Sequence, residues 1–231
     1  KGSAVNFNDE ECEKIDCSGL FIMPGLVNCH CHAPMTLLRG AGPGLPLERW
    51  LKEAIFPIEE RLTPSDIEVG MTWGAMELLA SGVTCVADMY DFPDNGAAAL
   101  QKIGIKANLC RVGLSFSETE EIPPRRLDEC VEFVLRQETD RSGKILRDIS
   151  IHSEYLTNEK FCRALAEANK NLRRPVHVHI SETQKEHEEC IARHGKTPIE
   201  YLRDTGLFDY GAYAAHCVYC TDDDFRIMRE M

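Results

Sequence analysis

What most limits the folds open to this 231-residue chain is an alternation that recurs six times, an apolar strand-like run followed by a stretch with helical spacing. The first run, Leu20 to Cys29, is apolar almost without a break and reads as a buried parallel-type strand. The second is Val83 to Tyr90, and others fall at 105–114, 145–152, 176–181 and 212–217. Helical stretches are expected near 47–60, from Thr63 to about Ala80, near 95–102, near 125–137, after Thr157, near 197–204 and from Thr221. Their starts carry local chemistry. Thr63 is a cap, Pro64 takes the first helical position and Asp66 the first turn; Thr221 pairs with Asp224 three residues on. Phe161, Leu165, Ala168 and Leu172 share one face, and Phe225 and Met228 are expected to point inward. Strand–helix units at this interval imply a parallel sheet with right-handed crossovers. Six units make either an open sheet or most of a barrel, whose closure takes eight units and typically ~250 residues.

Six of the eight histidines stand at the ends of four expected strands: His30 and His32, His152, His177 and His179, and His216. Side chains two apart on a strand share a face, so His30 pairs with His32 and His177 with His179. Imidazoles converging from several strand ends suit a divalent ion, with Zn²⁺ first and Fe²⁺ or Mn²⁺ as alternatives. Glu182 falls three residues after His179, where the strand runs into its loop, a place for an acid/base group at a barrel mouth. His187 and His194 lie in a charged helical stretch and read as solvated.

Composition removes some partners. A net charge of −12 repels a phosphate backbone, so nucleic acid is not expected. No apolar run approaches the ~20 residues of a membrane span, and no membrane partner is expected. Eleven cysteines, odd in number and scattered, make a poor disulfide framework and point to a reducing cytoplasm. Cys217 and Cys220 alone have close metal or redox spacing, without the second pair a zinc knuckle needs. Residues 1–19 are polar and broken, with Ile15-Asp16-Cys17 as a possible strand fragment.

The stretches PGLVNCHCHAPMTLLRG, SGVTCVADMY, HVHISET and AAHCVYC resemble the amidohydrolase superfamily, in particular its methylthioadenosine/S-adenosylhomocysteine deaminases, with triazine hydrolases and guanine deaminase as relatives. The resemblance runs from about Leu20 onward. It implies an α/β fold, the (β/α)8 metal-dependent hydrolase barrel. About six of its eight units would lie in residues 20–231, and residues 1–19 would be the remnant of a small N-terminal β-sandwich.

The resemblance also implies roles. His30, His32 and His179 match metal ligands for one divalent ion. Glu182 matches the proton shuttle, and His216 the histidine that orients the nucleophilic water. His152 matches a substrate contact and Glu59 an acid on the ribose hydroxyls, with an exposed helix acid as the plain alternative for Glu59. Arg111 and Arg126 match arginines near the substrate tail, where a fork would suit a homocysteine carboxylate. For Arg111 the alternative is a rim salt bridge, and Arg125 replaces Arg126 if the register slips by one. His177 matches no ligand position. The family's further ligand, an aspartate after the eighth strand, has no counterpart before Met231, so the chain reads as a fragment that lacks a complete site. The implied activity is deamination of an adenosine-type thioether to the inosine product and ammonia. Its alternatives are guanine deamination, triazine chloride displacement, or a truncated metal-binding domain without activity. The implied partner is a small nucleoside-like molecule, with a homo-oligomer left open.

Overall fold

The computed structural model describes residues 13, 15–115, 124–139 and 143–231. Six parallel strands form one sheet in sequence order: β1 Leu26–Cys31, β2 Val83–Tyr90, β3 Lys106–Arg111, β4 Ile145–Ser153, β5 Val176–Ile180 and β6 Ala212–His216. Each strand pairs in parallel with the next. The sheet is so strongly curved that it makes a nearly closed barrel wall. His30 on β1 and His177 on β5 lie four strand positions apart, about 19 Å in a flat sheet, yet their rings are in hydrogen-bond contact at 2.8 Å.

Helices cover the outside of this wall. After β1 come a 3₁₀ turn at Ala33–Leu38 and a helical run of α1 Leu47–Arg49, a π segment Trp50–Ile55 and α2 Phe56–Glu59. Then follow α3 Pro64–Ala80, α4 Pro93–Ile103, α5 Pro124–Leu135, α6 Glu159–Leu172, α7 Gln184–His194, α8 Pro198–Asp204 and α9 Asp222–Glu230. Thr63 and Asp66 form a reciprocal capping box on α3, as do Thr221 and Asp224 on α9. One core lies between β4, β5 and helices α6 to α8, with Phe161, Leu165, Val178 and Leu202 fully enclosed. A second joins β2 and β3 to α3 and α4 through Met71, Leu100 and Leu109.

Four expectations need correction. Residues 20–25 are not strand, and Leu26 and Val27 are exposed, since an apolar side chain on a strand is buried only where another layer packs over it. Ile15-Asp16-Cys17 is irregular rather than strand. The cap of α6 is Asn158, whose side chain accepts from Phe161 N, while Thr157 turns back to Ser153 O. Phe225 is exposed, and the buried residue of α9 is Asp224, which accepts hydrogen bonds from Thr221 and from Thr197 at the start of α8. Among the described residues no helix is long and apolar enough to cross a membrane.

Candidate metal centre and cavity

The strands deliver their histidines to one point at the carboxyl end of the sheet. Ring centroids of His30 lie 4.8 Å from His32, 4.8 Å from His179 and 5.4 Å from His216. His179 and His216 stack at 5.3 Å. His216 and Cys217 both have positive φ, 73° and 54°, and Ser181 has φ 48°. Non-glycine residues in this region are strained, and here the strain falls at the two strand ends that aim His216 and Glu182 inward.

Backbone carbonyls fix which nitrogen each ring presents. A carbonyl oxygen can only accept, so His32 Nδ1 donates to Met89 O at 2.6 Å and His179 Nδ1 donates to His152 O at 2.7 Å. Burial, with neighbouring imidazoles adding to it, lowers the pKa of both rings, so they are neutral and their Nε2 atoms carry lone pairs. Those two Nε2 atoms face each other at 3.1 Å. Two acceptors at that distance repel unless a cation lies between them, and ligands of one Zn²⁺ at ~2.0–2.1 Å each stand about this far apart. His30 follows the same logic through a longer chain. Cys110 Sγ donates to Asp88 O at 3.5 Å, leaving the sulfur to accept from His177 Nδ1 at 3.7 Å. His177 Nε2 then accepts from His30 Nδ1 at 2.8 Å, and His30 also presents Nε2. His177 therefore sits behind His30. Burial pushes the pKa of His30 down to about 3 and of His177 to about 4. The donor set fits a divalent ion. His30, His179 and His216 are the group of metal-competent side chains among the described residues, and Cys217 and Cys220 do not join a third ligand.

A cavity of about 360 Å³ opens beside this cluster. His30, His32, His152, His179, Glu182 and His216 line one end, and Glu59, Tyr90 and Asp91 contribute polar groups elsewhere. Leu47, Trp50, Phe56 and Leu114 supply apolar wall. Glu182 Oε1 is 3.7 Å from His216 Nε2. Burial raises the Glu182 pKa, and His216 opposes the shift. Burial also raises that of Glu59, whose Oε1 accepts from Tyr90 Oη at 2.6 Å. The exposed-acid alternative for Glu59 therefore does not hold. The His152 ring lies 4.6 Å from His179, and burial lowers its pKa to about 3.

Arg111 and Arg126 are not among the cavity-lining residues. Arg111 pairs with Asp91 at 2.5 Å and Glu129 at 2.7 Å, and Arg126 pairs with Asp91 at 3.0 Å. The rim salt bridge is thus the observed state of Arg111, and the Arg125 side chain lies outside the described residues. His187 is buried, with Nδ1 3.0 Å from Ser181 Oγ, and His194 stacks on Tyr201 at 4.1 Å beside Glu154, so neither is simply solvated. Sequence reasoning passed over Tyr90, Asp91 and Tyr155. Tyr90 and Asp91 stand at a strand's carboxyl end, the same positional signal that singled out the histidines.

The family model described as the amidohydrolase family matches residues 21–231. A 5-methylthioadenosine/S-adenosylhomocysteine deaminase of Acetivibrio thermocellus is 40% identical over 216 residues, covering 94% of this chain and 49% of that protein. Among solved structures, an adenosine deaminase from Xanthomonas campestris with bound zinc superposes with a TM-score of 0.82 at 31% identity, covering 90% of this chain and 47% of that one. Guanine deaminase from C. acetobutylicum with bound guanine shares the fold, at TM-score 0.79 and 22% identity over 90% of this chain and 52% of its own. The chain spans about half the length of the curated relatives it matches.

Proposed function

Because this chain belongs to the amidohydrolase family, we propose that its site serves the hydrolytic deamination of an adenosine-type thioether, 5′-methylthioadenosine or S-adenosylhomocysteine. Water adds to the ring carbon that bears the amino group, and ammonia leaves with formation of the inosine product. The observation that supports this most directly is the convergence of imidazoles from β1, β5 and β6 beside a carboxyl group whose pKa is raised by burial, on the wall of a cavity sized for a nucleoside. The relatives' names support the substrate class.

We assign one divalent ion, Zn²⁺ first, to His30, His32 and His179, whose Nδ1 contacts leave Nε2 free to bind it; His216, which also converges with His30 and His179, is assigned to the nucleophile instead. When bound it supplies Lewis-acid activation of water near neutral pH. The remaining work falls to the chain's own side chains. Glu182, its pKa raised by burial, gives its proton to the ring nitrogen, takes up the proton that the adding water sheds, and passes that one to the departing ammonia. His216, within 3.7 Å of Glu182, orients the nucleophile. Glu59 receives the ribose hydroxyls, held in place by the Tyr90 hydroxyl. His152 closes the cavity against the purine, and the apolar wall takes the thioether. The test is a panel of methylthioadenosine, S-adenosylhomocysteine, adenosine, guanine and a chlorotriazine with the zinc-loaded full-length gene product, followed by ultraviolet spectra and ammonia release. Turnover of the thioethers is expected; turnover of guanine or the triazine in their place overturns the assignment.

A further inference from the structure

We infer that Asp91 sets the tail specificity of this site: by holding Arg111 and Arg126 it favours a thioadenosine with an uncharged tail over one that ends in a carboxylate. The inference rests on the nucleoside reading above and concerns the half of the substrate that reading leaves open.

Asp91 follows directly on the carboxyl end of β2 and lines the cavity next to Glu59 and Tyr90. Its Oδ1 accepts from Arg111 Nη1 at 2.5 Å and from Arg126 Nη1 at 3.0 Å. Arg111 is further held by Glu129 Oε2, which accepts from Nε at 3.3 Å and from Nη2 at 2.7 Å. The Arg111 side chain is only 11% exposed, while Asp91, which lines the cavity, is 39% exposed. The two guanidinium groups that would form a carboxylate fork already have a carboxylate between them, and it belongs to the protein. Asp91 is close enough to Glu59 to help raise its pKa, behind burial as the main cause. Whatever extends along the cavity from a ribose held by Glu59 toward Asp91 therefore meets the Asp91 carboxylate first, with the two guanidinium groups paired behind it and outside the cavity lining. A second carboxylate entering there must displace Asp91 or stand beside it, and either outcome costs binding. A methylthio group asks for neither. It needs apolar surface, which Leu47, Trp50, Phe56 and Leu114 provide.

The experiment is the ratio of kcat/KM for methylthioadenosine over S-adenosylhomocysteine with the zinc-loaded full-length gene product, for the wild type, Asp91→Asn and Asp91→Glu. The wild type is expected to favour methylthioadenosine by roughly tenfold or more, and Asp91→Asn to move the ratio toward S-adenosylhomocysteine by roughly tenfold, chiefly through KM. Asp91→Glu, which keeps the charge, keeps the direction of preference. Equilibrium binding of S-adenosylhomocysteine by calorimetry gives a second reading, with Asp91→Asn binding more tightly than wild type. A wild-type preference for S-adenosylhomocysteine, an unmoved ratio in Asp91→Asn, or weaker binding by that variant overturns the inference; the last would mean that Asp91 reads the tail's ammonium. Absence of turnover of both nucleosides overturns the substrate reading instead, and the calorimetric comparison still decides the role of Asp91.

Discussion

Glu182 and His216 come within 3.7 Å of each other from the ends of two neighbouring strands, where Ser181 and His216 both take positive φ. The carboxyl group of Glu182 is half-buried and its pKa is raised, so it keeps a proton at higher pH than a solvated glutamate. Glu182→Gln preserves shape but cannot relay a proton. Turnover is expected to fall by ~10²–10⁴-fold, the usual weight of a positioned acid/base, while zinc content by metal analysis stays at the wild-type level. A parallel loss of metal would contradict the shuttle role. His177 shows how little a residue's type says about its role. It has the same strand face and chemistry as His179, yet it sits behind His30, between that ring and Cys110. Spacing could not separate the two, because both positions look inward.

At the scale of elements, α7 holds the loop that carries Glu182. Glu186, in the first turn of α7, accepts from Ser181 N at 2.9 Å through Oε1 and from Glu182 N at 2.8 Å through Oε2. Burial pushes its pKa up to about 7, against the pull of those backbone donors. A carboxyl group whose folded pKa lies above its unfolded value binds its proton more tightly when folded. Its contribution to stability is therefore complete below about pH 4.5 and is lost as the pH rises through about 7. Glu186→Gln cannot ionise, so urea midpoints measured from about pH 5 to about pH 8 should lose that part of their decline. The amide also offers only one acceptor oxygen, so kcat should fall as the Glu182 loop loosens. A wild-type slope retained in this variant would remove Glu186 from the account. The sequence placed Lys185 to Glu189 on a helix, yet gave no sign that Glu186 and His187 face inward. Their burial is set by how α7 packs back over β5, and a charge-rich string is silent on that.

For the whole molecule, the histidine cluster joins β1 to β5, 147 residues away in the chain, and to β6 still further on, strands that no ladder hydrogen bond connects to β1 among the described residues. A cation bound there crosslinks the two margins of the barrel wall and stabilises the folded state by mass action, about 2.7 kcal/mol at a free concentration 100 times the dissociation constant. Thermal melting with zinc and with chelator should show a corresponding upward shift, and His179→Asn should abolish most of it. An equal shift in that variant would place the metal elsewhere.

The sequence by itself determined the six strand–helix units and their order. Val83–Tyr90 and Pro64–Ala80 have the limits that their apolar run and their Thr-Pro-x-Asp start imply, because strand and helix signals, caps and proline act over a few residues. It also supplied the histidines at strand ends, since alternation along a strand is a local geometric fact. Only the tertiary structure decided what depends on distant neighbours. It left Leu26 and Val27 exposed, since apolar character says nothing about whether a covering layer packs there. It gave the cap of α6 to Asn158 in place of Thr157, which the fold turns toward Ser153. It brought Asp91 between Arg111 and Arg126, a contact between three segments whose pairing follows from the curvature of the wall and is written in none of them alone.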